Sequence, residues 1–164
     1  MRLYIMRHGH AVLPLSAQSD EQRELTAEGE QEVAASARWL AAEVDGLDAC
    51  FVSPYIRAQQ SAAVALTFID TDHRADLREL TPDTEPAQTL AALVAELSGS
   101  EAEVNRKKVL LVSHMPLVSY LVHEIDRAKQ PPIFPTGAIA VLDFDPQTLR
   151  GSFKQLKAAE RVAS

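Results

Sequence analysis

Four side chains scattered along the sequence have the types needed to bind and attack a phosphoryl group. Arg7 and His8 stand side by side, followed by Gly9, at the end of the apolar run Leu3-Tyr4-Ile5-Met6. Arg57 comes shortly after Ser53-Pro54, and His114 follows Ser113 at the end of Val109-Leu110-Leu111-Val112. Two guanidinium forks can surround the oxygens of a phosphate. One histidine can attack phosphorus. A second, if protonated, can stabilise the equatorial oxygens, as in other phosphoryl-transfer sites that act by positioning and charge. No metal motif and no glycine-rich nucleotide loop accompanies them, so the pattern suits phosphate removal better than ATP use, and no cofactor is expected.

The surrounding elements bring these residues within reach of one another. Leu3 to Met6 reads as a short strand buried on both faces, and Gly9 permits a tight turn and close approach of a ligand to the backbone. A polar loop runs from about Val12 to Leu25 and contains Pro14, Ser16, Ser19 and Asp20; a long loop beside a site tends to be functional. Thr26 can cap a helix whose buried stripe is Val33, Ala37, Leu40 and Val44, with Gly46 ending it. Asp48 to Val52 reads as a second strand. Ser53 as N-cap and Pro54 at the first helical position would start a helix to about Leu66, with Arg57 in its first turn. A short strand is expected around His73 to Leu77 and a helix through Leu90, Leu93, Val94 and Leu97. Ser100 to Lys108 reads as a connection, and Val109 to Val112 as the clearest strand. Met115-Pro116 opens a helix with Leu117, Val118, Leu121, Val122 and Ile125 inward. Ile139 to Phe144 and Gly151 to Leu156 read as a closing antiparallel pair.

Alternating strands and helices imply an α/β sheet covered on both faces, with right-handed crossovers. Three of the strands end in Arg7-His8, in Ser53 with Arg57 just beyond, and in His114. In a parallel sheet those ends share one edge, where open α/β sheets bind ligands.

With 164 residues, 46% of them hydrophobic, the chain is long enough for one globular domain, residues 1–164. A net charge of −7 argues against nucleic acid or an anionic membrane as the main partner, so an anion site would be a local basic pocket. The single cysteine excludes an internal disulfide. Without a visible targeting segment or a bilayer-length apolar run, a cytoplasmic location is expected; the chain is also expected to be a monomer.

Taken together, Arg7-His8-Gly9, the segment Ser53-Pro54-Tyr55-Ile56-Arg57-Ala58-Gln59-Gln60-Ser61-Ala62 and Ser113-His114-Met115-Pro116 resemble the three motifs of the histidine phosphatase, or phosphoglycerate-mutase-like, superfamily, in order and in strand context. The resemblance runs from Met1 to about Phe144. It is nearest to the small protein histidine phosphatases of the SixA type, through Glu79-Leu80-Thr81-Pro82, His114-Met115-Pro116-Leu117-Val118, Tyr120-Leu121-Val122 and the segment from Pro131-Pro132 to Ala140. It implies a minimal three-layer α/β/α fold around a mostly parallel mixed sheet, without large insertions. It also implies His8 as the nucleophile, forming a phosphohistidine that water then hydrolyses. Arg7, Arg57 and His114 would hold the phosphoryl oxygens, with Gly9 beside them. The implied partner is a phosphorylated histidine-containing phosphotransfer protein.

Larger members of that family carry insertions bearing a carboxylate that protonates an alcohol leaving group. The chain has little room for one, and Glu79 is the residue that aligns there. Asp20 and Glu21, in the loop after the first motif, are the other carboxylates that could supply an acid. An alkoxide leaves badly without a proton, whereas a phosphorylated imidazole leaves as imidazole, whose conjugate acid has a pKa of about 6.5. A site without a strong general acid therefore suits P–N better than P–O cleavage. The alternatives are a small-molecule phosphomonoesterase using the same His8 chemistry and a non-catalytic phosphate-binding module.

Other reactive residues have plainer readings. His8 and His10 form a His-x-His pair, but Gly9 interrupts the strand and no carboxylate is spaced to complete a metal set. His10 would line the pocket rim or face solvent, and His73 and His123 read as surface or satisfied histidines. Cys50 has six residues between it and Arg57, one more than a cysteine-phosphatase loop, and reads as core. Thr136-Gly137 reads as a turn, and the acidic stretch Asp20 to Glu32 as a solvated face.

Overall fold

Strand β1, Arg2–Arg7, lies at the middle of the sheet because four successive apolar side chains leave it no solvent face: Leu3, Tyr4, Ile5 and Met6 are all buried. The computed structural model describes residues 1–14 and 18–159; Ser16 of the expected polar loop lies outside them. The other strands are β2 (Ala49–Val52), β3 (Arg74–Asp76), β4 (Lys108–Ser113), β5 (Ile139–Asp145) and β6 (Arg150–Lys157). They form one mixed sheet in the order β3-β2-β4-β1-β5-β6. The first four in that order run parallel, β5 is antiparallel to β1, and β6 is antiparallel to β5. In register, Ile5 lies opposite Leu111 and Arg7 opposite Ser113. The ends of β1, β2 and β4 therefore meet at one edge, as their parallel reading requires.

Strand alternation divides the core between two layers of helices. Tyr4, Met6, Cys50, Val52, Leu110 and Val112 pack with α1 (Ala27–Glu43) and α2 (Ile56–Ala65). Leu3, Ile5, Phe51, Val109 and Leu111 pack with α3 (Pro86–Glu96) and α5 (Leu117–Ile125). The result is a three-layer α/β/α fold. Among the described residues, no helix is long and apolar enough to cross a membrane.

Helix α1 begins as its sequence dictates, with the Thr26 side chain accepting from Gly29 N and Glu28 and Glu30 in the first turn. It ends at Glu43, before Gly46: Val44 leaves the helix with extended backbone (φ −138°) while its N–H still reaches Leu40 O, and its side chain joins the core. The expected cap of α2 is also displaced. The helix starts at Ile56 after Tyr55, without a side-chain cap, so neither Ser53 nor Pro54 plays the role that local propensity assigns. The physical reason is that the Ser53 hydroxyl bonds the His114 ring. The connection after residue 100 contains a short helix, α4 (Glu101–Asn105), which the Ser100 hydroxyl caps by accepting from Glu103 N. The loop after β1 is pinned at its ends by an antiparallel bridge between Ala11 and Leu25 and carries a 3-10 turn at Asp20–Gln22. Leu25 N also donates to Gln60 Oε1 on α2 at 2.7 Å, so the loop is tied to the helix that carries Arg57.

Candidate active site

His8 leaves β1 with its backbone N–H donating to Ser113 O at 3.0 Å, which ties the first motif to the third. Its ring is buried, 6% exposed. Nδ1 lies 2.7 Å from Gly9 O, and since a carbonyl only accepts, Nδ1 carries the ring proton. That leaves the lone pair on Nε2, where Arg57 Nε donates to it at 3.2 Å. Burial, reinforced by the charges of Arg57, Arg7 and Arg23, pushes the His8 pKa down to about 3 despite the opposing Gly9 bond. The ring is therefore neutral at physiological pH, with an in-plane lone pair held toward the arginines.

The other three residues lie close to the His8 ring. The His114 and His8 ring centroids are 5.1 Å apart, and Tyr55 closes the other side of His114 at 5.0 Å. Ser53 Oγ contacts His114 Nε2 at 2.7 Å, while Nδ1 is buried without a partner. Burial pushes the His114 pKa to about 2, with the nearby His8 and Arg57 adding to the shift. The His114 ring is therefore neutral at physiological pH, with one ring nitrogen, Nε2, sharing a hydrogen bond with the Ser53 hydroxyl. Arg7 donates from Nη1 to Phe134 O at 2.7 Å, and its buried Nε has no partner. Burial lowers the Arg7 pKa from its ordinary value; the negative Glu32 works against that shift and Arg57 adds to it. Two buried nitrogens, Arg7 Nε and His114 Nδ1, are therefore left for a ligand, and buried polar atoms without partners are costly unless something else supplies them.

Arg57 is 4% exposed and lies over the Tyr55 ring at 5.2 Å. Beyond its bond to His8, it donates from Nη1 to Asp20 O at 2.6 Å and from Nη2 to Asp20 Oδ2 at 3.1 Å. Arg23 pairs with the same carboxylate at 3.0 Å. Burial would raise the Asp20 pKa, but the bonds and charges of the two arginines outweigh it and hold the carboxyl below its usual range. Asp20 is thus a carboxylate at neutral pH, not a proton donor. Glu79, half-buried in the 3-10 turn Arg78–Leu80, accepts from Thr89 Oγ1 through its backbone carbonyl at 2.6 Å. Its carboxylate has no hydrogen bond or ion pair among the described residues.

Gly9 serves packing. Its N–H donates to Ser61 Oγ at 3.1 Å, and a Cβ would stand 2.4 Å from Gly29 O, so the backbone that comes close is the first turn of α1. Glu32, read from sequence as part of a solvated acidic face, is 5% exposed. It accepts from His10 N at 2.8 Å and from Thr136 Oγ1, joining the turn after His8 to the segment before β5. Ser36 Oγ donates to Gly137 O at 2.6 Å from the same helix face, and Gly137 N reaches Arg7 O and His8 O. The periodicity of Gly29, Glu32 and Ser36, three small or polar residues on one buried helix face, was the available signal. His10 is exposed, with Nδ1 2.9 Å from Thr26 Oγ1, apart from the surroundings of His8. Cys50 is fully buried, and burial pushes its thiol up to about 12, so it supplies no thiolate.

The profile of the histidine phosphatase superfamily (branch 1) matches residues 3–84. Over 146 residues the chain is 37% identical to the phosphohistidine phosphatase SixA of Escherichia coli strain K12, covering 88% of this chain and 86% of that protein. The chain belongs to the histidine phosphatase superfamily. A SixA homolog of Haemophilus influenzae is 32% identical over 155 residues, with 88% and 89% covered. Among solved structures, the protein histidine phosphatase SixA complexed with tungstate superposes with a TM-score of 0.86 at 34% identity, covering 97% of each chain. A mycobacterial glucosyl-3-phosphoglycerate phosphatase shares the superfamily fold, with a TM-score of 0.72 at 18% identity over 97% of this chain and 99% of that one.

Proposed function

We propose that this histidine phosphatase is a phosphohistidine phosphatase that dephosphorylates a histidine-containing phosphotransfer protein through a phospho-His8 intermediate. The observation that carries the reading is the state of His8: neutral, with its proton fixed on Nδ1 by Gly9 O and its Nε2 lone pair among Arg57, Arg7 and His114. In the first step the Nε2 lone pair forms a bond to phosphorus. The bond to the substrate imidazole breaks, and its electron pair departs with the ring nitrogen. Positive charge that develops on the His8 ring is met by the Gly9 carbonyl. The phosphoryl oxygens accept from Arg7 Nε, His114 Nδ1 and the Arg57 fork, donors already oriented before the charge arrives. In the second step water attacks phosphorus, the P–Nε2 bond breaks toward His8, and phosphate is released.

The state of Asp20 supports a preference between leaving groups. Asp20 is held ionised by two arginines, so an alkoxide would depart without a proton donor there. A phosphohistidine protonated on its other nitrogen leaves as neutral imidazole and needs none. Tungstate, a tetrahedral oxyanion bound by the solved SixA, is a suitable probe of the pocket in this chain. The test is hydrolysis of a phosphohistidine-labelled phosphotransfer protein beside a panel of phosphomonoesters, with chelator present. Loss of the P–N phosphate with much slower ester turnover is expected, and His8→Ala should abolish both. Ester turnover equal to or faster than P–N turnover would favour the small-molecule phosphomonoesterase instead.

A further inference from the structure

Ser53 is fully buried, and each of its polar groups is held. Its N–H donates to Val112 O at 3.0 Å, and its carbonyl accepts from Gln59 Nε2 at 2.8 Å. Gln59 is itself fixed, since Nε2 also donates to Asp76 Oδ1 at 2.8 Å and Oε1 accepts from Arg74 Nη2 at 3.2 Å. The Ser53 hydroxyl oxygen accepts from Tyr55 N at 3.3 Å and lies 2.7 Å from His114 Nε2. The hydroxyl is thus set in place by β3, β4 and α2, yet it caps no helix, because α2 begins at Ile56 without a side-chain cap. Its short contact is with an imidazole of the site.

A serine hydroxyl has one hydrogen and two acceptor lone pairs. Tyr55 N takes up one lone pair. Among the described residues, His114 Nε2 is the acceptor within reach of the hydrogen. Were Nε2 to keep a proton of its own, the buried hydroxyl hydrogen would have no partner, and His114 Nδ1, also buried without a partner, would be a bare lone pair. The ring carries a single proton, because burial and the charges of Arg57, Arg7 and Arg23, together with the adjacent His8, all oppose a second one. A neutral imidazole that accepts at Nε2 holds its hydrogen on Nδ1.

We infer that Ser53 is a positioning residue whose hydroxyl, by donating to His114 Nε2, selects the tautomer with the ring proton on Nδ1. This rests on the proposed function, in which Nδ1 donates to the phosphoryl oxygens, and names the group that makes that nitrogen a donor. In the other tautomer a lone pair would meet the oxyanion, and an attraction would become a repulsion. The hydroxyl acts through the imidazole.

The test reads the ring directly. With isotope-labelled histidine at pH 7 and no ligand, nitrogen NMR of the wild-type chain should show His114 protonated at Nδ1 and bare at Nε2, the signals being assigned by their absence in His114→Asn. Ser53→Ala should lose that preference, with the proton divided between the nitrogens or moved to Nε2. Its kcat on a phosphohistidine-labelled phosphotransfer protein should fall about tenfold or more, and it should bind tungstate about fivefold more weakly. Ser53→Thr keeps the hydroxyl and should restore the tautomer and most of both losses. A wild-type ring protonated at Nε2 overturns the inference whether or not the variants fold. So does a Ser53→Ala protein that retains the Nδ1 proton, or that loses it with unchanged kcat and tungstate affinity. A wild-type chain that leaves the phosphohistidine substrate intact overturns the proposed function alone, because the tautomer and tungstate comparisons need no phosphohistidine and decide the role of Ser53 by themselves.

Discussion

Replacing Glu32 by Ala tests whether a buried carboxylate outside the motifs holds the nucleophile's turn in place. Its two oxygens accept one bond from His10 N at 2.8 Å and one, shared between them, from Thr136 Oγ1 at 2.8 and 2.9 Å. Hydrogen bonds to a charged acceptor contribute roughly 1.5–3 kcal/mol each, and the two donors left behind are only partly reachable by water. Glu32→Ala should therefore destabilise the fold by about 3 kcal/mol, and Glu32→Gln by about half as much, since the amide oxygen can still accept from His10 N. Urea denaturation at pH 7 measures both. The catalytic consequence should exceed the stability loss, because His10 N and the 136–137 turn fix the peptides on either side of His8 and Arg7. At a urea-free temperature where each variant is folded, kcat should fall at least tenfold for Glu32→Ala and be partly restored in Glu32→Gln. A Glu32→Ala protein within about 0.5 kcal/mol of wild type and with unchanged kcat would refute the reasoning.

Three further outcomes follow from the same geometry. His8 and His114 have folded pKa values of about 3 and about 2, below the ordinary 6.5, so their contribution to stability is present above pH 6.5 and is lost as pH falls toward 3. Between pH 7 and pH 5 each ring should cost roughly 2 kcal/mol; urea titrations should show this slope reduced in His8→Asn/His114→Asn. Gly9→Ala puts a Cβ 2.4 Å from Gly29 O, backbone against backbone, so the turn after His8 must shift; kcat should drop by two orders of magnitude or more, about 3 kcal/mol of barrier, in steady-state assays of folded protein. Asp20→Ala removes an anion from Arg57 and Arg23, so calorimetry should find tungstate bound roughly two- to fivefold more tightly, the scale of an exposed ion pair; weaker binding would mean that Asp20 orients Arg57 instead.

The sheet and its charged edge were legible because unbroken apolar runs such as Leu3 to Met6 and Val109 to Val112 have few readings besides buried parallel strands. Parallel strands bring their ends together, so Arg7, His8, Arg57 and His114 could be assembled from sequence without any contact information. What remained hidden depends on contacts across distance. Ser53 obeys the local rule for a helix cap, but a buried imidazole with no other partner for Nε2 captures its hydroxyl. Glu32 sits in a run of acids that reads as a surface, and only the approach of the 136–137 turn to one face of α1 buries it. Asp20 reaches Arg57 across 37 residues of sequence, a pairing set by how the loop is tied down by Leu25 and Gln60. Gly9 also has a packing contact that no local rule reveals, since a Cβ there would meet Gly29 O on the first turn of α1.

The central claim is tested most directly by acid-free rapid quenching of the enzyme with a phosphohistidine-labelled phosphotransfer domain, followed by phosphorus NMR and mass spectrometry of the trapped chain. The account predicts transient phosphate on His8, attached at Nε2 because Nδ1 is committed to Gly9 O. It also predicts that the signal disappears in His8→Asn. Full turnover with no phosphorylated chain at any time point, or phosphate on another residue in an active His8→Asn protein, would contradict it.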